Sequence, residues 1–163
     1  MRAPAEVRLE RLEKLIQRVS HESEQGGIIV VEGRRDRDSL RKMGITGRIL
    51  CLQSSRKNTV GFVEELDSSA DVIVLTDFDR QGVFLAKRLA RMLTSQGIHA
   101  NLVLWRELRG LTRSDVRSIE ELPKFHYRLQ TEVFFGASTL NREYEAKFIA
   151  KRRERQRKCR DGV

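Results

Sequence analysis

Apolar residues along this chain recur at two spacings, and the alternation between them predicts the fold. After Pro4, the positions Val7, Leu12, Leu15, Ile16 and Val19 fall at helical intervals as far as Gly26-Gly27, predicting an amphipathic N-terminal helix. Ile28 to Val31 is a short β-branched run that reads as a strand. Glu32-Gly33 and a helical pattern over Asp36 to Met43 follow it, and Gly44 ends that helix. The unit then repeats, with a strand over Arg48 to Leu52, a polar loop from Gln53 to Asn58 and a helix over Thr59 to Leu66. Asp71 to Leu75 is the most apolar strand candidate and runs into Thr76-Asp77-Phe78-Asp79-Arg80-Gln81-Gly82. A helix over Val83 to Ser95 comes next, Gly97 stops it, and Ile98 to Trp105 is expected as a fourth strand.

Strands alternating with helices imply parallel pairing, because a crossover between parallel strands needs an intervening segment of about this length. The expected fold is therefore α/β and Rossmann-like: a parallel four-stranded sheet flanked by helices, with an N-terminal helix and a helical C-terminal extension. Beyond Trp105 the pattern weakens. Arg106 to Arg113 reads as irregular, Ser114 to Leu122 as a short helix interrupted by Pro123, and a last helix starts near Ser138 or Thr139 and carries Tyr144, Phe148 and Ile149. The organisation expected is an N-terminal helix over 1–25, a sheet domain over 26–107 and a basic helical extension over 108–163.

Composition narrows the partners. The 163 residues suit one compact domain, and 39% apolar residues supply a modest core. Thirty-two basic against 23 acidic side chains leave a net charge of +9, which favours an anionic partner. Much of the excess lies in the last stretch, around Lys151, Arg152 and Arg153, a candidate for sequence-independent contact with nucleic acid. Two distant cysteines, Cys51 and Cys159, make neither a disulfide framework nor a zinc site. No apolar run approaches a membrane span, and the Met1 end lacks the apolar core of a secretory signal, so a cytoplasmic protein without a membrane partner is expected.

In an open parallel sheet, the loops after the strands' carboxyl ends line the binding crevice. Two acidic sites fall there: Glu32 after Ile-Ile-Val-Val, and Asp77 with Asp79 after Val-Ile-Val-Leu-Thr. If the two strands are neighbours, three carboxylates converge, and such a group needs a cation. Hard carboxylate oxygens suit Mg²⁺, with Mn²⁺ as a substitute; one ion is expected and two are conceivable. The bland reading is that an Asp between strand and helix caps the helix and that Glu32 is a solvated turn residue. Arg34, Arg35, Arg56, Lys57 and Arg80 occupy the loops near this crevice and are candidates for holding phosphates. His21, His99 and His126 share no ligand spacing, and Trp105 is better placed for packing than for stacking on a base.

Val31-Glu32-Gly33 followed by Asp36, and later Leu75-Thr76-Asp77-Phe78-Asp79-Arg80-Gln81-Gly82, resemble the two signature segments of the Toprim domain over about Gly26 to Glu107. That domain is shared by topoisomerases, bacterial primases, old-family nucleases and the ribonuclease that matures 5S ribosomal RNA; in length this chain is most similar to the small stand-alone archaeal Toprim proteins. The resemblance implies that Glu32 is the general acid or base of phosphoryl transfer and touches metal, that Asp77 and Asp79 are Mg²⁺ ligands, and that Gly33 and Gly82 are turn glycines. Gln81 and Val83 stand where type IA topoisomerases carry two glutamates, which weakens the case for a second metal. Tyr127 and Tyr144 lie in the helical extension, away from any gate domain, and two cysteines cannot build a primase's zinc module.

The expected function is Mg²⁺-dependent action on RNA or DNA, foremost phosphodiester hydrolysis by a nuclease, with RNA processing as one setting. The alternative is a non-catalytic nucleic-acid- or nucleotide-binding Toprim module, a subunit of a larger RNA-processing or DNA-repair complex. A phospho-receiver reading fits poorly, since Glu32 is followed by Gly33 where a receiver has a second acid.

Overall fold

The computed structural model describes residues 3–54, 58–112 and 115–136. The elements are α1 (Ala5–Glu24), β1 (Ile28–Val31), α2 (Arg34–Lys42), β2 (Ile49–Cys51), α3 (Thr59–Glu64), β3 (Asp71–Val74), α4 (Arg80–Ser95), β4 (His99–Asn101), α5 (Val103–Thr112) and α6 (residues 122–136). Short 3₁₀ turns occupy Leu52–Ser54 and Ile119–Glu121. The four strands form one parallel sheet in the order β2-β1-β3-β4.

That order follows from the hydrophobic runs. All four residues of β1 and the last three of β3 are buried, so these strands must lie in the centre, with a helical layer over each face. Each fully covered Val or Ile there contributes about 1.5–3 kcal/mol relative to exposure. Ile29 pairs with Ile49 on one side and Ile73 on the other. The β1-to-β2 crossover runs one way along the sheet and the later two run the other way. Right-handed connections therefore place α2 on one face and α3 with α4 on the opposite one. α3 packs on α4, and α1 packs on α5. Trp105 of α5 is buried, its ring tilted against that of Phe78 with centroids 6.3 Å apart.

Several boundaries differ from the expectations. The run Ile98 to Trp105 is not one strand: β4 ends at Asn101, whose Oδ1 accepts the Val103 N–H at 2.8 Å and starts α5. A short apolar run such as Leu102 to Trp105 carries no periodicity that separates strand from helix; here the asparagine cap decides. The stretch expected to be irregular, from Arg106, is the body of α5, and the boundary expected at 107/108 falls inside that helix. Pro123 does not interrupt a helix. It is the second residue of α6, where its missing N–H costs nothing. α2 and α4 begin at Arg34 and Arg80, earlier than expected, because Asp36 and Asp79 supply their caps. The helix expected from Ser138 or Thr139 lies outside the described residues. Among the described residues, no helix is long and apolar enough to cross a membrane.

Candidate functional site

The sheet order makes β1 and β3 neighbours and puts the reversal of strand order between them, which is where an open α/β sheet forms its crevice. Leu75 N–H continues the ladder to Val30 O at 2.9 Å, so the two chains leave the sheet side by side. Glu32 Oε1 then accepts the backbone N–H of Asp77 at 3.0 Å. The first and third strand ends are thereby joined through an acidic side chain, and Glu32 and Asp77 line one cleft of about 610 Å³.

Asp77 is half-buried, and its Oδ1 accepts the Ile119 N–H at 2.9 Å. Burial pushes its carboxyl up to about 6; the nearby charges of Asp36, Glu32 and Asp79 add to the rise, and the Ile119 N–H opposes it. Burial likewise raises Glu32, with Asp36 and Asp79 adding to it and the Asp77 N–H acting against it. Asp36 is 6% exposed; its Oδ2 accepts the Gly33 N–H at 2.9 Å and closes the first turn of α2. Its carboxyl too is raised, by burial and then by Glu120. Among the described residues, none of Glu32, Asp36, Asp77 and Asp79 has an Arg, Lys or His within ion-pair distance.

Asp79 departs from the simple picture. Its Oδ1 accepts the Gly82 N–H at 2.7 Å and caps α4, and its side chain is exposed and outside the lining of the cleft. The capping role weighed for a lone aspartate is therefore real here, while its charge still reaches Glu32 and Asp77. Gly82 is required by space: a Cβ there would lie 2.1 Å from Asp77 O. Gly33 is buried in extended backbone, and a Cβ on it would meet Gln53 Oε1 at 3.0 Å. The 76–82 loop is fastened further by Thr76 Oγ1 donating to Gly82 O, and by Trp105 Nε1 donating to Thr76 O, both at 2.9 Å.

Arg34 and Arg35 line the cleft from the first turn of α2, not from a loop, and Arg80 is the first residue of α4. Arg56, Lys57, Lys151, Arg152 and Arg153 lie outside the described residues. The segment 115–121, expected within a short helix, carries only the 3₁₀ turn at Ile119–Glu121, and it arrives from beyond the sheet to cover the site, a placement the sequence reading did not foresee. Phe78 N–H donates to Arg117 O at 2.8 Å, Ser39 Oγ donates to Glu120 O at 3.3 Å, and Ser118 and Glu120 line the cleft. Asp115 pairs with Arg8 of α1 at 2.5 Å and with Arg128 of α6 at 3.1 Å, so both helices hold this segment. No local pattern announces it. Asp36 was visible in its motif, but its burial was not.

Similarity to known proteins agrees with this architecture. Over 77% of this chain and 86% of its relative, the sequence is 33% identical to a UPF0292 protein of Methanosarcina acetivorans. The chain belongs to the UPF0292 family. Other members of the family include proteins of Methanosarcina barkeri, 35% identical over 76% of this chain and 85% of that one, and of Pyrococcus furiosus, 39% identical over 69% and 82%. A solved structure of a protein from Aquifex aeolicus superposes with a TM-score of 0.55 at 27% identity, covering 66% of this chain and 94% of that one. No family model matches the chain.

Carboxylate oxygens without compensating cations are the donor chemistry that a hard divalent ion takes. Among the described residues, no three His, Cys, Asp or Glu side chains are gathered as a ligand shell, and Glu32, Asp36, Asp77 and Asp79 each accept a backbone N–H. The donor set fits Mg²⁺ or Mn²⁺ in chemistry. Glu32 and Asp77 share the cleft, and Asp79 has one oxygen outside the cap.

Proposed function

We infer that this protein is a Toprim-type, Mg²⁺-dependent phosphodiesterase acting on nucleic acid. The observation that carries the reading is the Glu32-to-Asp77 bond, which unites the two motif segments in one acidic cleft beside Arg34 and Arg35. When bound by Asp77 and Asp79, with Glu32 at its edge, Mg²⁺ would neutralise the carboxylates and polarise a phosphoryl oxygen. Glu32 keeps Oε2 without a partner among the described residues, and burial raises its carboxyl above the ordinary value, a shift in the direction that favours a proton donor to a leaving oxygen. Arg34, Arg35 and Arg80 place cations in the first turns of α2 and α4, where the helix dipole disfavours them. A phosphate group relieves that arrangement, which argues for an anionic substrate.

Cap formation by Asp79 favours a second reading: a nucleic-acid- or nucleotide-binding module of an RNA-processing or repair complex, located in the cytoplasm, with a metal that steadies the site without catalysis. Incubation of the purified protein with structured RNA and DNA in Mg²⁺ or Mn²⁺ separates the two. Cleavage by the wild type that disappears in Glu32→Gln, with an unchanged circular dichroism spectrum, supports the phosphodiesterase; binding without cleavage supports the module. Equal cleavage by wild type and Glu32→Gln would refute the assignment of Glu32.

A further inference from the structure

A second groove of about 510 Å³ runs along the outer edge of β2, and it meets the carboxylate cleft at Arg34 and Ser54, which line both. α2 contributes Arg37 to one side of it, the residue before β2 contributes Arg48, and Leu50 with Leu66 supplies a half-buried apolar floor. Arg34 Nε donates to Ser54 Oγ at 3.3 Å, which holds that guanidinium at the junction of the two. Arg37 is tied to Asp38 through Nε and Nη2, leaving Nη1 for another acceptor. Arg48 is exposed, and among the described residues its side chain has no partner.

Resting on the phosphodiesterase reading, we propose that this groove seats the phosphodiester strand that flanks the reacting phosphate, with Arg34, Arg37 and Arg48 meeting successive phosphates. Charge makes the argument. The acidic cleft by itself repels a polyanion, so a strand whose one phosphate enters it must be held by cations nearby. The β2 groove is contiguous with the cleft and lined by three arginines against Glu65. An apolar floor between cations suits the alternation of sugar or base with phosphate in a single strand. A peptide adding to the edge of the sheet is a poorer occupant, because β2 is three residues long and offers little ladder.

The test is fluorescence anisotropy of the full chain with a fluorescein-labelled single-stranded RNA 20-mer and the DNA of the same sequence, in Mg²⁺ and across a salt series. Neither Arg37 nor Arg48 belongs to the carboxylate cleft. Abolishing one cation–phosphate pair on a single strand lowers the slope of log affinity against log salt by about 0.7, so Arg37→Ala/Arg48→Ala should lower it by about 1.4. Lys87→Ala/Arg91→Ala on α4 removes the same charge elsewhere and should leave the slope as it is. An unchanged slope in the groove variant, or an equal drop in the α4 variant, overturns the proposal. Competition by a glutamate 20-mer as strong as by unlabelled RNA or DNA would also overturn it, showing that the groove takes acidic peptide. The two readings fail separately: strong groove-dependent binding without any cleavage removes the phosphodiesterase and keeps the groove, while cleavage with a groove-independent slope does the reverse.

Discussion

Replacing Asp77 by Asn should stabilise this protein near neutral pH and leave it unimproved in acid. The folded environment moves the Asp77 carboxyl from 3.8 to about 6, which corresponds to about 3 kcal/mol held against the ionised form. The side chain is only half-buried, so solvent screening reduces the usable part to roughly 2 kcal/mol. The sign follows from the direction of the shift. Below about pH 4 the group is protonated in both folded and unfolded chains and costs nothing. Between about 4 and 6 only the folded chain keeps the proton, and above about 6 the full cost of a crowded carboxylate is present. Asn keeps an oxygen for the Ile119 N–H and carries no charge. In a chain of this size about 2 kcal/mol corresponds to roughly 4–8 °C. Thermal unfolding followed by circular dichroism should therefore show the variant melting higher than wild type by that amount at pH 7.5, with the difference closing by pH 4. If Mg²⁺ binds with a dissociation constant near 0.1 mM, 10 mM of it raises wild-type stability by about 2.7 kcal/mol and does much less for the variant. A difference in melting temperature that is the same at both pH values, or a variant less stable than wild type at pH 7.5 without metal, would refute the electrostatic account of the cleft.

Other substitutions test the scaffold of the site. Gly82→Ala drives a methyl group into Asp77 O and should cost about 1–3 kcal/mol in urea unfolding, whereas Gly110→Ala, whose added Cβ meets no atom within 4 Å, should gain roughly 0.5–1 kcal/mol. Trp105→Phe leaves Thr76 O without its indole donor and should lose about 1–3 kcal/mol; equal urea midpoints would show that the bond does not fasten the loop. Asp79→Asn preserves a good helix cap and should stay within about 0.5 kcal/mol of wild type while losing any metal-dependent cleavage, and Asp79→Ala should lose about 1 kcal/mol more in the same unfolding assay. Full cleavage by Asp79→Asn would leave that residue a cap only.

By itself the amino-acid order determined the alternation of elements and the central strands. A four-residue β-branched run such as Ile28 to Val31, between Gly26-Gly27 and Glu32-Gly33, has few alternatives to a buried strand, and the 3.6-residue spacing through Val83 to Ser95 has few alternatives to a helix. It also placed Glu32 and Asp77 at strand ends, because turn residues and acids punctuate those runs. Local pattern could not resolve Leu102 to Trp105, where a short apolar stretch fits either element until Asn101 caps it as a helix. Tertiary structure alone decided that β1 and β3 are neighbours, that Glu32 reaches the Asp77 N–H, and that Asp36 is buried beside them. It alone brought residues 115–121 over the cleft, where the Ile119 N–H meets Asp77 across 42 positions of sequence. The division has one physical cause. Helices and strands arise from interactions among residues a few positions apart, whereas the burial and mutual repulsion that tune these carboxylates depend on segments that meet only once the core has closed.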